Sequence, residues 1–184
     1  MKIVAVYLST RKGSVSEQIT DALTAGAEEA GAMVRRYKVG DSILGCRGCG
    51  GCVKAGKCVI RDPMEFYWDE LQDADMVIVS AANYMGNLMG QAWSFMNRHY
   101  CLADSSRGMQ ERTIRIPAGK SILGVFAQGS PNKEGYREVY EAYLRIFSAY
   151  GMKPAEPMVV NASDLTPEHL AEYRACGRGL VERI

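Results

Sequence analysis

The chain has 184 residues, 47% of them hydrophobic and 23% charged, with a formal net charge of +1. That length and apolar fraction fit one domain, residues 1–184, with a buried core. The near-neutral balance, with Lys and Arg scattered along the chain, argues against a nucleic-acid binder or a protein drawn to anionic membranes. No apolar run approaches the roughly 20 residues that cross a bilayer.

The first run, Ile3 to Leu8, turns polar at Ser9 with no small-residue cleavage pattern after it. It therefore reads as a buried strand rather than a signal, and a cytoplasmic protein is expected. Next comes Ser9-Thr10-Arg11-Lys12-Gly13-Ser14-Val15-Ser16, leading into a helix whose apolar residues Val15, Ile19, Ala22, Leu23, Ala27 and Ala30 recur at spacings of three and four. Hydroxyls, backbone N–H groups and the positive end of that helix suit a phosphate. Neither G-x-x-x-x-G-K-[ST] nor G-x-G-x-x-G occurs, so a monophosphate such as that of FMN fits better than a triphosphate or a dinucleotide. A plain helix cap at Ser14 accounts for the same residues without any ligand.

A weaker strand, Met33 to Tyr37, precedes residues 41–61, which exceed an ordinary connection. Here Cys46, Cys49, Cys52 and Cys58 form C-x2-C-x2-C-x5-C, with glycines at 45, 48, 50, 51 and 56. Three closely spaced thiolates on a turning backbone can wrap three corners of a cubane while a fourth closes from a few residues on. Glycine makes such turning cheap and lets N–H groups approach sulfur. One [4Fe-4S] cluster is the leading reading. Zinc more often takes two separated C-x2-C pairs, and disulfides or a thiol switch form the other alternative. Cys101 and Cys176 stand apart; Cys176 is expected on the apolar face of the last helix, and both read as packing residues.

The third strand, Met76 to Ala81, leads into Asn83-Tyr84-Met85-Gly86-Asn87, which offers aromatic and thioether surface to a flat ring and amides to its polar edge. An ordinary loop with Tyr84 and Met85 facing the core is the alternative. Residues 101–119 are expected to form a second long polar loop, and His99 and His169 to be surface or capping groups. A fourth strand, Ile122 to Ala127, ends in the tight turn Gln128-Gly129-Ser130-Pro131. A helix with Val139, Tyr143, Ile146, Phe147 and Tyr150 on one face, a strand at Pro157 to Val160, and a helix capped at Thr166-Pro167 complete the chain. That last helix is expected to pack through Leu170, Tyr173, Leu180, Val181 and Ile184.

Strands apolar on both faces, alternating with helices, imply an α/β doubly wound, five-stranded parallel sheet of order 2-1-3-4-5 with the cysteines inserted after strand 2. Ligands in such sheets bind beyond the carboxyl ends of the strands, where the loops starting at Ser9, Asn83 and Gln128 converge.

Together these residues resemble the iron-sulfur flavoprotein family, a flavodoxin-like branch of the NAD(P)H-dependent FMN reductases, from Met1 to about Ser130. The cysteine run followed by Asp62-Pro63-Met64 is similar to that family's Cys-Val-Ile-Lys-Asp-Asp-Met stretch. Ser9, Arg11 and Ser16 match its phosphate loop, where Leu8, Thr10 and Val15 replace glycine, proline and asparagine. Ala82 to Asn87 resembles its Pro-Val-Tyr-Trp-Gly-Asn, with Ala82 and Met85 in place of proline and tryptophan. The resemblance implies FMN, a [4Fe-4S] cluster, and a homodimer or homotetramer with the cluster of one subunit near the flavin of another. The expected function is electron transfer from a ferredoxin-like donor through the cluster to FMN and on to an acceptor. The alternatives are an NAD(P)H-dependent FMN or quinone reductase with structural or vestigial cysteines, and a zinc-stabilised binding module.

Overall fold

The computed structural model describes residues 1–108 and 110–182. In chain order it contains β1 (Lys2–Tyr7), α1 (Val15–Glu29), β2 (Met33–Lys38), α2 (Gly51–Ala55), α3 (Met64–Asp73), β3 (Met76–Tyr84), β4 (Asn87–Leu88) and α4 (Gly90–Arg98). These are followed by β5 (Ala103–Asp104), β6 (Thr113–Ile114), β7 (Ser121–Ala127), α5 (Arg137–Ile146), β8 (Lys153–Pro154), β9 (Met158–Val160) and α6 (Pro167–Glu182).

The main sheet runs β2-β1-β3-β7-β8, with β9 also paired to β7 and β4 to β3. The expected strand positions hold, but the expected five strands become seven. Pro154 and Pro157 cannot donate to a ladder, and the fifth position is split: β8 pairs with the start of β7 and β9 with its end, both parallel. β4 folds back antiparallel on β3, Asn83 opposite Leu88 and Tyr84 opposite Asn87, so the sheet is not purely parallel.

Side chains of a strand alternate between faces, and β1 divides the core accordingly. Val4, Val6 and Leu8 join the layer under α3, α4 and α5, while Ile3, Ala5 and Tyr7 join the layer under α1 and α6. Thr166 caps α6 by accepting the His169 N–H at 3.2 Å. Leu170, Tyr173, Leu180 and Val181 pack half-buried on the second layer as expected; Ile184 lies outside the described residues. Cys176 corrects its expectation, for it is exposed. Gly177, one residue on, is the buried member of α6, and the 100° step between neighbours turns Cys176 away.

Residues 101–119 are less of a loop than expected. Cys101, Leu102 and Ala103 are buried, and β5 pairs with β6 in a small hairpin. Arg115 closes it by donating to the Cys101 and Ala103 carbonyls at 2.9 and 3.0 Å.

His99 also departs from expectation, being wholly buried among Tyr67, Trp68, Phe95 and Phe147. Its Nδ1 lies 2.9 Å from the Phe95 carbonyl, which can only accept, so Nδ1 carries the proton and Nε2 accepts from the Tyr67 hydroxyl at 2.8 Å. Burial lowers its pKa to about 3. The unfolded chain, with an ordinary histidine near 6.5, then binds a proton that the native state does not. Stability therefore rises with pH across this window and is lost as pH falls below about 6.5. About 2 kcal/mol should disappear between pH 6.5 and 5. Urea titrations of wild type and His99→Gln at both pH values check this: the variant should lack that part of the pH slope.

Candidate functional site

β1, β3, β7 and β9 all end at one edge of the sheet, and the loops leaving them wall a cleft of about 410 Å³. The volume lies in the range of small-molecule and cofactor sites. Ser9, Arg11, Ser14, Val15, Asn83, Tyr84, Gln128 and Gly129 line it, so the three predicted loops meet here. A fourth wall, Asn161-Ala162-Ser163, comes from the loop after β9, which sequence reasoning missed. Its signal was faint: Asn161 and Asp164 form a capping box over a single 3₁₀ turn, a pattern that needs no ligand.

At the first loop, Ser14 is the N-cap of α1 and accepts the Glu17 N–H at 3.3 Å. The cap takes the Glu17 N–H and the Gln18 N–H bonds the Ser14 carbonyl at 3.0 Å, so an anion at this end of α1 would be met by the N–H groups of Val15 and Ser16. Ser9 Oγ accepts the Arg11 N–H at 3.2 Å. Ser16 does not line the cleft; it is buried behind Ser14, the two hydroxyls 3.4 Å apart. Glu17 brings a carboxylate close to this end, but Lys38 pairs with it and holds it below the usual carboxylate range.

The second loop is a hairpin turn in which Met85 and Gly86 take positive φ, 55° and 81°. Tyr84 and Met85 are exposed rather than core-facing. The left-handed backbone at Met85 costs about 1–2 kcal/mol, which marks the turn as held by its surroundings. Asn83 does the holding: its Oδ1 accepts the Gly86 N–H at 3.1 Å and its Nδ2 donates to the Tyr140 hydroxyl at 2.9 Å. Asn87 Oδ1 accepts from its neighbour Leu88 N–H and from Trp93 Nε1.

The Tyr140 hydroxyl donates in turn to Gln128 Oε1 at 2.8 Å, and Gln128 Nε2 donates to the Ser130 and Asn132 carbonyls. The side-chain amides of Asn83 and Gln128 are thus committed to joining the loops, which leaves backbone groups to meet a ring. Ser130 serves through its carbonyl and is not part of the wall, where Pro131 takes its place. Tyr140 is buried on α5, and no local motif distinguishes it from a core residue. Tyr140→Phe leaves the buried Gln128 amide oxygen and the half-buried Asn83 N–H short of a partner, so a loss of about 1–3 kcal/mol is expected. Urea denaturation and FMN titration of the variant check it, with weaker FMN binding as the expected second reading.

The cysteine segment lies between β2 and α3. Gly48, Gly50 and Gly56 all take positive φ, near 60–70°, and Gly50 and Gly56 bracket the single turn of α2. Cys46, Cys49, Cys52 and Cys58 line one hollow of about 460 Å³ together with Cys101, Tyr100, Tyr150 and Arg98. Among the described residues no three His, Cys, Asp or Glu side chains converge as ligands of a single ion. The four cysteines instead share the lining of one hollow, and four thiols so close in the chain are the donor type that an iron–sulfur group takes. Cys101 is a fifth sulfur in this wall; burial pushes its thiol up to about 12, in keeping with a packing residue.

Arg98, at the end of α4, is the residue here that sequence reasoning missed. Its side chain is 0% exposed and that of its partner Asp62 is 2% exposed. Nη1 and Nη2 fork onto Asp62 at 2.5 and 3.2 Å, and the same nitrogens reach the Leu44 and Ile60 carbonyls at 2.9 and 3.4 Å. Nε donates to Cys58 Sγ at 3.1 Å. Asp62 also accepts the Leu44 and Met64 N–H groups. One ion pair thus ties both ends of the cysteine segment to α3 and α4.

Residues 1–165 match the family of NADPH-dependent FMN reductases. The match extends past Ser130 and takes in the fourth wall of the cleft. The chain is 31% identical over 181 residues to an iron-sulfur flavoprotein of Methanocaldococcus jannaschii, covering 97% of this chain and 83% of that one. It is 33% identical over 125 residues to an iron-sulfur flavoprotein of Methanosarcina thermophila, covering 67% of this chain. The chain spans slightly under two thirds of the length of that protein and of the Archaeoglobus fulgidus iron-sulfur flavoprotein, 64% and 66%. An NAD(P)H:quinone oxidoreductase from Methanothermobacter marburgensis superposes with a TM-score of 0.75 over 98% of both chains at 13% identity, a likeness of fold. A flavodoxin from the domain Archaea superposes at 0.60 over 100% of this chain and 98% of its own, at 16% identity. With its flavodoxin-like sheet, its four-loop cleft and these relatives, the chain belongs to the NADPH-dependent FMN reductase family.

Proposed function

We propose that this chain is an FMN-dependent redox protein that also carries a [4Fe-4S] cluster, accepting electrons singly from a ferredoxin-like donor and passing them through FMN to an acceptor. The observation that carries this reading is the pairing in one small chain of a four-loop cleft at the sheet edge with a hollow walled by four cysteines. When bound, FMN exchanges one or two electrons and a cluster one, so the two together convert between single electrons and pairs.

The chain's own part is to hold and orient. Ser9, Arg11, Ser14 and the first turn of α1, backed by Ser16, hold the phosphate. Tyr84 and the backbone of residues 83–87 and 128–130 receive the ring, and Tyr140 keeps those two loops in register. Cys46, Cys49, Cys52 and Cys58 ligate the cluster, and the glycines between them turn the backbone around it. A homodimer or homotetramer is the expected assembly, read by sedimentation of the loaded protein.

Anaerobically purified protein should show flavin bands with broad cluster absorption, and iron and sulfide near four per chain. Full flavin with no iron after anaerobic reconstitution would sink the cluster assignment. The family match favours a second reading, an NAD(P)H-dependent FMN or quinone reductase whose cysteines are structural. Stopped-flow mixing separates the two: fast flavin bleaching by NAD(P)H selects the reductase, and reduction only by a ferredoxin selects the carrier. Stoichiometric zinc without flavin would point to neither.

A further inference from the structure

A buried guanidinium is expensive unless its hydrogen-bond donors are satisfied. The Asp62 fork and the Leu44 and Ile60 carbonyls already occupy both terminal nitrogens of Arg98. The remaining donor, Nε–H, is spent on Cys58 Sγ at 3.1 Å. A thiol sulfur accepts weakly, whereas a metal-bound thiolate carries charge and accepts strongly. The contact is thus matched to Cys58 as a ligand rather than as a free thiol. Arg98 is also rigidly placed. It closes α4, whose nine residues span about 13 Å and begin at Gly90, directly after the hairpin of the flavin cleft.

We propose that Arg98 is a positioning residue for the metal site, holding Cys58 through the Nε–H···Sγ bond and raising the reduction potential of the iron–sulfur group that Cys58 helps to ligate. This rests on the reading of the four cysteines as cluster ligands. Reduction adds one electron from a one-electron donor, with no bond formed or broken and no proton moved. The added negative charge is shared with the thiolate sulfurs, so the bond donated by Arg98 strengthens on reduction and favours the reduced form. Asp62 keeps the pair near neutrality, which makes the burial tolerable while the N–H stays aimed at sulfur.

The test uses the full chain reconstituted anaerobically with iron and sulfide, titrated with dithionite and followed by electron paramagnetic resonance. Arg98→Lys keeps a cation for Asp62 but cannot fork onto it and reach Cys58 at once. The expected result is an equilibrium about tenfold less favourable to reduction, a potential about 59 mV lower for a one-electron couple, with several-fold faster loss of iron to a chelator. An unchanged potential in a fully loaded variant overturns the proposal. Should the variant fail to fold or load, wild-type protein carrying ¹⁵N-labelled arginine decides by pulsed resonance of the reduced state. A weak ¹⁵N coupling is expected, and its absence overturns the contact. Wild-type protein without iron and sulfide overturns the cluster reading, and this inference with it. A fully loaded wild type lacking the coupling overturns this inference alone.

Discussion

Asp62→Ala is expected to cost about 3–5 kcal/mol of stability, because it leaves the wholly buried Arg98 guanidinium without its counter-charge. Removing one partner of a buried pair is far more damaging than the pair's net worth, since the stranded charge keeps its full desolvation penalty. The variant also frees the Leu44 and Met64 N–H groups that Asp62 accepts. Urea denaturation of the metal-free protein measures the loss, and hydrogen exchange locates it: amides of residues 44–64 should lose protection first. Asp62→Asn, which keeps the shape and some acceptors but not the charge, should fall between wild type and alanine. A cost below 1 kcal/mol for Asp62→Ala would show that the cysteine segment opens and lets water reach Arg98.

Gly177→Ala is the second large effect expected, about 3 kcal/mol, at the upper end of the usual cost of overpacking. A Cβ at Gly177 would lie 1.9 Å from the Leu23 carbonyl oxygen, and one at Gly26 would lie 1.8 Å from that of Arg174. Both clashes are with backbone, so no side-chain rotation relieves them and α1 must move away from α6. That movement thins the layer formed by Ile19, Leu23, Tyr173 and Leu180. Thermal unfolding checks the magnitude. Gly179→Ala on the same helix is the control, because its Cβ meets nothing within 4 Å and alanine is the better helix former. Since the start of α1 lines the cleft through Ser14 and Val15, where the FMN phosphate is proposed to sit, weaker FMN binding should accompany the lost stability in Gly177→Ala.

The close approach of α1 and α6 at Gly26 and Gly177 has no counterpart in local sequence pattern. Gly177 looks like a helix-weakening residue in the sequence, and only the facing carbonyl of Leu23 explains it. Local pattern did identify the strands, because a strand covered on both faces must be a continuous apolar run, as at Ile3 to Leu8 and Met76 to Ala81. It identified the caps at Ser14 and Thr166, whose acceptor geometry is set within three residues. It failed at His99, since nothing in the neighbouring residues signals that Tyr67 and Phe147 will close over the ring. It found β9 at the expected Pro157 to Val160 but missed β8, the two-residue strand at Lys153–Pro154 that shares the fifth position.

The candidate sites divide the same way. Three loops of the cleft were legible because glycine, hydroxyl and amide residues follow strand ends, and the cysteines because their spacing is itself the signal. Tyr140 and Arg98 were not legible. Tyr140 acts on residues 57 and 12 positions away, and Arg98 reaches its acceptors across 36 to 54 positions. The sequence by itself determined the doubly wound sheet, the three loops that meet at one edge of it and the close run of four cysteines, because each depends on periodicity or on close spacing. Only the tertiary structure decided which amides are already committed, that the four cysteines line one hollow, and that a buried cation faces Cys58, because hydrogen bonds and ion pairs between distant segments leave no periodic trace in the chain.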